Sequence, residues 1–324
     1  LAARLAGAGM KLAVIEKHRF GGTCVNDGCT PTKTLVASAY AARLAQRAAE
    51  YGVRASAAGV DMQRVKARKD AIVASSAQGV EKWMRGTKGI TVIRGSASFS
   101  SRKEIQVGKR KLTADRIFLD VGGRPLVPKM PGLDQVRFLT NESMMDVGFV
   151  PKHLIVVGGS YVGLEFAQMF RRFGARVTVV EMGPRLIGRE DEDVSEAVRG
   201  ILEAEGIAVR VNAECLSAKK TAGGVSIGLE CEEGAPRVAG SHLLLAVGRV
   251  PNTDDLGLET AGIRTDKRGY IEVDEALRTS NPNVWALGDC NGKGAFTHTA
   301  VSDAEIVGDN LLEGAGRKHP DRVP

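Results

Sequence analysis

Two cysteines, Cys24 and Cys29, lie close together in the segment GGTCVNDGCTPTK, just before a run of residues with the pattern of a long helix. A thiolate near a helix N-terminus is stabilised and nucleophilic, as disulfide exchange requires. The alternatives are two buried thiols or half of a zinc site, but zinc needs two further ligands at comparable spacing, and the sequence has no second cysteine or histidine pair. The pair therefore favours redox chemistry. Lys33, one turn after Cys29, is either a solvated charge or a cation on the same helix face.

A second candidate site is the glycine-rich turn GGSYVG at 158–163, which follows the strand-like run HLIVV and opens a helix. This context is the one that a dinucleotide-binding turn requires, because Gly158 permits the sharp turn and Gly163 lets helix and strand pack closely. The helix N-terminus would offer its N–H groups to a pyrophosphate, although Ser160 stands where the pattern has a glycine. Glu181, at the end of the next strand, would accept hydrogen bonds from ribose hydroxyls and repel a 2′-phosphate. We therefore expect NAD, with NADP possible because arginines lie nearby.

The composition limits the class of protein. The chain has 324 residues, which suggests two or three domains, and its 39 glycines suggest many tight turns. The net charge of +7 is spread along the chain without a block of like charge, so nucleic acid is not expected as a partner. Five irregularly spaced cysteines, no signal peptide and no apolar run of membrane-spanning length predict a cytoplasmic protein with no membrane partner.

The elements that must position these groups alternate between helix and strand, which is the pattern of an α/β fold. Helices are predicted at 1–10, 31–50, 61–85, 191–205 and 298–312, and after the glycine turn. Strands are predicted at 12–15, 90–94, 96–107, 116–121, 153–157, 175–181 and 284–287, with a hairpin at 222–224. Two segments, 122–132 and 248–253, are predicted to be linkers.

An internal comparison connects the two halves of the chain. The run LAARLAGAGMKLAVIE at 1–16 aligns without gaps on FAQMFRRFGARVTVVE at 166–181, which places Glu16 on Glu181. Both runs read as helix, glycine, strand and glutamate, the second half of a βαβ dinucleotide unit. The glycine turn of the first copy would fall before Leu1, so we expect the sequence to begin inside the first helix of a nucleotide domain.

Together these motifs resemble the class I pyridine nucleotide-disulfide oxidoreductases, which include glutathione reductase, dihydrolipoamide dehydrogenase and mercuric reductase. GGTCVNDGCTPTK resembles their active-site signature, and the dinucleotide unit at 154–181, GRVPN at 248–252 and NPNVWALGDC at 281–290 follow in order over essentially the whole chain. The resemblance implies an α/β, glutathione reductase-like fold with two Rossmann-like domains. The two domains would be an FAD-binding domain at 1–148 and an NAD(P)-binding domain at 149–251. A central segment at 252–324 would complete the FAD site.

The resemblance also implies roles for individual residues. Cys29 would lie against the flavin and Cys24 would attack the substrate, while Lys33, paired with Glu165, would sit near the flavin. Tyr161 would be the gate over the nicotinamide pocket. Further cofactor contacts are implied for Glu16 on the FAD ribose, Asp289 on the ribityl chain, and Thr297 and His298 at a helix N-terminus facing the flavin. The other cofactor-binding residues that match are Gly21, Gly22, Thr23, Gly122, Gly159, Gly248, Arg249 and Gly288.

The implied reaction moves electrons from NAD(P)H through FAD to the disulfide, and on to a small-molecule disulfide or a soft metal ion such as Hg(II). The family's C-terminal interface domain, which makes the homodimer and carries a His–Glu pair, has no counterpart in this sequence, and the first FAD glycine turn is missing. We therefore expect a fragment truncated at both ends that binds FAD weakly and reduces disulfides poorly. The alternative is a non-catalytic, flavin-poor nucleotide-binding fragment. Cys215, Cys231 and Cys290 are expected to be packed or exposed thiols outside any site.

Overall fold

The structure is a computed structural model that describes residues 1–54, 59–231 and 234–322. Its helices are α1 (Ala2–Gly7), α2 (Gly22–Asn26), α3 (Cys29–Gln46), α4 (Met62–Gly86), α5 (Asn141–Met144), α6 (Tyr161–Phe173), α7 (Glu192–Ala204) and α8 (Thr297–Leu312). The strands of the first half are β1 (Leu12–Glu16), β2 (Ile90–Arg94), β3 (Ala97–Phe99), β4 (Glu104–Val107), β5 (Arg110–Thr113), β6 (Ile117–Leu119) and β7 (Gly123–Pro125). The later strands are β8 (His153–Val157), β9 (Arg176–Val180), β10 (Ala208–Arg210), β11 (Ala213–Thr221), β12 (Gly224–Cys231), β13 (Arg237–Gly240), β14 (His242–Leu245), β15 (Arg249–Pro251) and β16 (Val284–Ala286).

The chain divides into two compact units, and the glycine-turn unit, which we name after the turn at 158–163, comprises Asp27–Ala74 and Pro125–Gly248. Its central sheet has four parallel strands in the order β10-β9-β8-β14. In chain order this is 3-2-1-4, the arrangement of a Rossmann half. The predicted strand and helix around the glycine turn are confirmed, and so is the hairpin between β11 and β12 of a second, antiparallel sheet.

Burial explains why β8 forms the middle of this sheet. Leu154, Ile155 and Val156 have no exposed surface, as expected for a parallel strand that is covered on both faces. On one face of the sheet, α6 packs its apolar side, including Phe166 and Phe170, into the largest core cluster of the unit. The helix ends at Gly174, whose φ of 111° lets the chain turn back into β9.

The other unit, which we call the cysteine-24 unit, comprises Leu1–Asn26, Ser75–Arg124 and the described residues from Arg249 onward. It contains the parallel pairs β1–β2 and β6–β16 and the antiparallel sheet β3-β4-β5. The mixed α/β class with several parallel sheets is therefore confirmed. The division into 1–148, 149–251 and 252–324 stays a prediction, and its last two residues lie outside the described residues.

Some local predictions were wrong. The run 96–107 forms two strands, β3 and β4, which pair antiparallel across a turn. The two predicted linkers each contain a short strand, β7 and β15, and these pair with one another. Close backbone approach explains that pairing, because a Cβ on Gly123 would lie 2.9 Å from the carbonyl oxygen of Val250. The glycines and prolines of both segments are typical of linkers, but the sequence does not show that two segments so far apart along the chain pair with one another.

Candidate active site

The glycine-rich turn between β8 and α6 is built so that side chains are excluded from it. Gly158 has a φ of 113°, and a Cβ there would lie 2.3 Å from the carbonyl oxygen of Ala246. A Cβ on Gly163, in the first turn of α6, would lie 2.1 Å from the carbonyl oxygen of Gly158. Ser160 is the N-cap of α6, and Tyr161, 44% exposed, is its first residue. The bare backbone at this helix N-terminus fits the pyrophosphate of a dinucleotide.

Glu181 follows β9 directly and bonds to the glycine turn. Its Oε2 accepts a hydrogen bond from the backbone N–H of Gly159 at 2.6 Å, and its Oε1 accepts one from Gly183 at 2.7 Å. Each carboxylate oxygen has two lone pairs, so acceptor capacity remains for ribose hydroxyls. The sequence predicted a ribose ligand here, and the structure shows that the same side chain also holds the turn in place.

In the glycine-turn unit, the helix that begins at Cys29 packs against the helix that follows the glycine turn. Leu35 and Ala39 of α3 lie in the same core cluster as Phe166 and Phe170 of α6. Gly28 is the N-cap of α3, and its carbonyl accepts the first helical bond from Thr32. Cys29 is exposed at the first position of the helix.

An ion pair links the same two helices. The Nζ of Lys33 donates to Oε1 of Glu165, with 65% and 31% of the two side chains exposed. Lys33 lies one turn after Cys29, and Glu165 lies two residues after Gly163. The pairing of Lys33 with Glu165 is therefore present, although the roles of these residues toward a flavin stay predictions.

Cys24 lies in the cysteine-24 unit, in the middle of the short helix α2, and is partly buried. Gly21 and Gly22 precede it with φ values of 100° and 59°, in the left-handed region that favours glycine. A Cβ on Gly21 would lie 2.5 Å from the Cβ of Val25. These two glycines therefore shape the backbone that presents Cys24.

Three carboxylates of the cysteine-24 unit follow parallel strands. Glu16 is the last residue of β1, Asp120 comes directly after β6, and Asp289 comes three residues after β16. Oε1 of Glu16 accepts a hydrogen bond from the N–H of His18 at 2.7 Å. Acceptors at the carboxyl ends of parallel strands fit the ribose and ribityl hydroxyls of FAD. Of the three, Glu16 and Asp289 were predicted ligands.

Asp120 was missed in the sequence. Asp120 is exposed at the surface, but desolvation of its carboxyl group, followed by the charge of Asp289, raises its pKa to about 6. A Cβ on Gly288 would lie 2.9 Å from its Oδ1, so the carboxylate lies against the turn that carries Asp289. The available signal was its position directly after the apolar run IFL, where strand ends meet ligands in α/β proteins.

Arg249 connects several predicted site residues within the cysteine-24 unit. Its Nη2 donates to Oγ1 of Thr23 at 3.2 Å and to the carbonyl of Gly123. Its Nε lies 3.6 Å from Oδ2 of Asp289. The structure thus brings together Thr23, which precedes Cys24, and Asp289, which follows β16.

The two other predicted glycines near the linkers take part in backbone contacts. Gly122, with a φ of 64°, accepts a hydrogen bond from the N–H of Asn252 at 3.0 Å in the cysteine-24 unit. Gly248, with a φ of 126°, belongs to the glycine-turn unit, where its carbonyl accepts a hydrogen bond from the N–H of Leu126 at 2.9 Å. Their positive φ values explain glycine at both positions.

The helix α8 begins at Thr297, one residue earlier than predicted, and the ring of His298 stacks on Phe296 with centroids 5.3 Å apart. Farther along the helix, Asp303 is fully buried and accepts a hydrogen bond at Oδ2 from the N–H of Gly288 at 2.9 Å. Arg322 forms an ion pair with this carboxylate. Asp303 was missed because a single acidic residue in a helix is typical of a solvent-exposed face.

The remaining cysteines differ from the pair at the site. Burial raises the pKa of the Cys290 thiol to about 12 and that of Cys215 to about 11. The sulfur of Cys231 accepts a hydrogen bond from Nη2 of Arg210 at 3.2 Å. The raised pKa values of Cys290 and Cys215 disfavour a thiolate nucleophile at those two positions. Over the described part of the chain, no helix is both long enough and apolar enough to span a bilayer.

The comparisons with known proteins agree with this geometry. A family model described as pyridine nucleotide-disulphide oxidoreductase matches residues 1–304. The chain is 36% identical over 315 residues to a mercuric reductase of Streptomyces lividans, which covers 95% of this chain and 66% of that protein. It is 31% identical over 327 residues to a dihydrolipoyl dehydrogenase of Geobacillus stearothermophilus, covering 99% of this chain and 68% of that protein.

A solved structure shows the same similarity in three dimensions. The HOCl-induced flavoprotein disulfide reductase RclA from Escherichia coli, solved as a Cu(II) complex, superposes with a TM-score of 0.88 at 32% identity. The alignment covers 99% of this chain and 70% of RclA. The chain spans 66% and 57% of the lengths of two mercuric reductases it matches, those of Streptomyces lividans and Staphylococcus aureus.

Proposed function

The chain belongs to the pyridine nucleotide-disulphide oxidoreductase family, whose members are FAD- and NAD(P)-dependent enzymes, and on this premise we propose a path for its electrons. They pass from a nicotinamide, preferably NADH, through FAD to the Cys24–Cys29 disulfide. From the resulting dithiol they pass to a small-molecule disulfide or to a soft metal ion such as Hg(II). The whole protein acts as a homodimer in this proposal.

The observation that carries this proposal is the packing of α3 against α6. Cys29 begins one of these helices and the glycine turn opens the other, and Lys33 and Glu165 form an ion pair between them. The sulfur of Cys29 and the glycine turn are thereby carried on two adjacent helices that share one core cluster. Electron transfer from a nucleotide to a disulfide requires this proximity.

The chain's own residues divide the work. Cys29, at the N-terminus of α3, would face the flavin, and Lys33 with Glu165 would supply a fixed charge pair beside it. Tyr161, exposed on α6, would cover the nicotinamide pocket. Glu16 and Asp289 would accept hydrogen bonds from FAD hydroxyls. FAD, when bound, supplies the two-electron chemistry between nicotinamide and disulfide.

The dithiol reaction is balanced as follows. Two electrons break the Cys24–Cys29 sulfur–sulfur bond and leave two thiol groups. One of their two protons is the hydrogen that leaves the nicotinamide as hydride, once its electrons have been passed on, and the other comes from solvent. The Cys24 thiolate then attacks one sulfur of a substrate disulfide and releases the first product thiol. Cys29 attacks the Cys24 sulfur of this mixed disulfide, which releases the second product thiol and re-forms the original bond. Hg(II) would instead be held by the two thiolates, take two electrons from them and leave as Hg(0) while the sulfur–sulfur bond re-forms.

Substrate choice and nucleotide choice rest on separate observations. The relatives include proteins named mercuric reductase and dihydrolipoyl dehydrogenase, and the solved RclA structure holds Cu(II). Both soft ions and disulfides are therefore substrates to test. The preference for NADH rests on Glu181, which directly follows β9 and whose charge would repel the 2′-phosphate on the adenosine ribose of NADPH.

The test uses the full 324-residue chain, purified and then saturated with added FAD. We expect NADH oxidation that depends on lipoamide, glutathione disulfide, Hg(II) or Cu(II), each assayed separately. Cys24→Ser and Cys29→Ser should abolish it, whereas Cys215→Ser, which removes an unassigned thiol, should leave it unchanged. Binding of NADH without flavin uptake or substrate-dependent oxidation would instead identify a non-catalytic nucleotide-binding fragment.

A further inference from the structure

We infer that Asn26 is a positioning residue for Cys24, because its side-chain amide fixes the short helix that carries this cysteine. The inference deepens the proposed function and rests on the redox role proposed there for Cys24. Asn26, the residues it contacts and Cys24 all belong to the cysteine-24 unit. Asn26 is not among the residues assigned to the site above.

The side chain of Asn26 reaches back past the start of its own helix. It is 5% exposed, and its Nδ2 donates to the carbonyl of Gly22 at 2.9 Å and to that of Phe20 at 3.0 Å. Phe20 is itself 5% exposed, so this end of the loop is anchored in the protein interior. Cys24 lies between the two ends of the loop that these hydrogen bonds close.

The helix α2 is too short to hold its own conformation. A helix of five residues forms little more than its costly first turn, and Val25 N–H to the Gly21 carbonyl, at 3.3 Å, is a long hydrogen bond. Gly21 and Gly22, both at positive φ, add conformational freedom before the cysteine. An outside constraint is therefore needed, and the two bonds donated by Asn26 supply it.

The orientation of the Asn26 amide is determined by its partners. Both are carbonyl oxygens, which only accept hydrogen bonds, so the NH₂ group must face them and Oδ1 must face away. Oδ1 is buried and has no hydrogen-bond partner among the described residues. Leaving a buried acceptor without a partner is unfavourable, because the group loses its hydrogen bonds to water. An apolar side chain would avoid this cost, so the two donated bonds are the feature that asparagine adds here.

Disulfide chemistry makes the position of Cys24 matter. Bond formation requires the two Cα atoms within about 4.4–6.8 Å and a narrow range of torsions, so a small change in the orientation of α2 alters the stability of the disulfide. Loss of the Asn26 bonds should therefore change the equilibrium between disulfide and dithiol. A purely structural residue elsewhere in the unit would lower stability without this effect.

The test measures the disulfide–dithiol equilibrium of the full chain in glutathione buffers, with thiol trapping and mass spectrometry. Asn26→Asp keeps the size but replaces the donor by an acceptor, and we expect the equilibrium constant to shift by about tenfold or more. Asn26→Leu removes the donor and the unpartnered acceptor together, and it should give the same shift even if Asn26→Asp folds poorly.

Asn281→Asp is the matched control. Asn281 lies in the same unit, is 2% exposed, and donates from Nδ2 to the carbonyls of Arg102 and Ala261, both at 2.9 Å. Its variant should lower the melting temperature and leave the equilibrium constant unchanged. Unchanged constants in both Asn26 variants, with a Cys24–Cys29 disulfide formed in the wild type, would overturn the role of Asn26 alone. Absence of that disulfide in the wild type would overturn the proposed function as well.

Discussion

Replacing Glu181 by Gln should weaken the binding of NADH and reduce the preference for NADH over NADPH. Glu181 accepts two backbone hydrogen bonds, from Gly159 at 2.6 Å and from Gly183 at 2.7 Å. Glutamine keeps one carbonyl oxygen, so it can serve one of these N–H groups and must turn its NH₂ toward the other. One bond is lost, and the other loses its charge.

The magnitude follows from these contacts. Hydrogen bonds to charged groups contribute about 1.5–3 kcal/mol each. Glu181 is only half-buried, so hydrogen bonds to water replace part of what is lost. We therefore take a net loss of about 2 kcal/mol in the free energy of NADH binding at the glycine turn. This corresponds to roughly a 30-fold increase in the Kd of NADH.

NADPH should respond differently, because the variant also removes the repulsion between the carboxylate and a 2′-phosphate. Two unit charges about 4 Å apart interact with about 1 kcal/mol in water and about 4 kcal/mol near a protein surface. A relief of about 2 kcal/mol offsets the loss at the turn, so the Kd of NADPH should stay roughly constant. The ratio of the two dissociation constants should therefore change by roughly 30-fold.

Isothermal titration calorimetry of the purified chain with NADH and with NADPH measures both constants. Glu196→Gln is the control, because it removes the same charge from an exposed position in the same unit. A change in the Kd of NADH of less than about threefold, or an equal weakening of both nucleotides, would refute the reasoning.

Three further predictions concern stability. Desolvation of its carboxyl group raises the pKa of Asp120 from 3.8 to about 6, so its contribution to stability is fully present below pH 3.8 and is lost as the pH rises through about 6; because the residue is exposed and water screens its charge, Asp120→Asn should remove a fall of at most about 1 kcal/mol across that window in urea denaturation. Asp303→Asn leaves the guanidinium of Arg322 buried without its counter-charge and should lower the free energy of unfolding by about 3–5 kcal/mol in the same assay, and a loss below about 1 kcal/mol would contradict this. Gly163→Ala places a Cβ 2.1 Å from the carbonyl oxygen of Gly158, so it should destabilise the glycine-turn unit by about 1–3 kcal/mol and abolish calorimetric NADH binding, and unchanged binding would refute that account of the turn.

The local elements and the chemical motifs could be predicted from the sequence. The strand HLIVV, the glycine turn and the helix after it were located because their signals, an apolar run and closely spaced glycines, lie within a few residues of one another. Cys24 and Cys29 were selected for the same reason. Predictions that needed a distant partner were weaker, as the paired strands β7 and β15 inside the two predicted linkers show.

The sequence by itself thus determined the residue types that can do chemistry and the helices and strands that carry them. Only the tertiary structure decided which of these groups meet. It placed Arg249 against Thr23 and Asp289, and it buried Asp303 beneath the turn at Gly288. Burial and charge depend on neighbours that are distant along the chain, so the raised pKa of Asp120 could not be read from its own segment. The redox pair was visible in the sequence, whereas the hydrogen bonds that hold Cys24 in position became visible only in the fold.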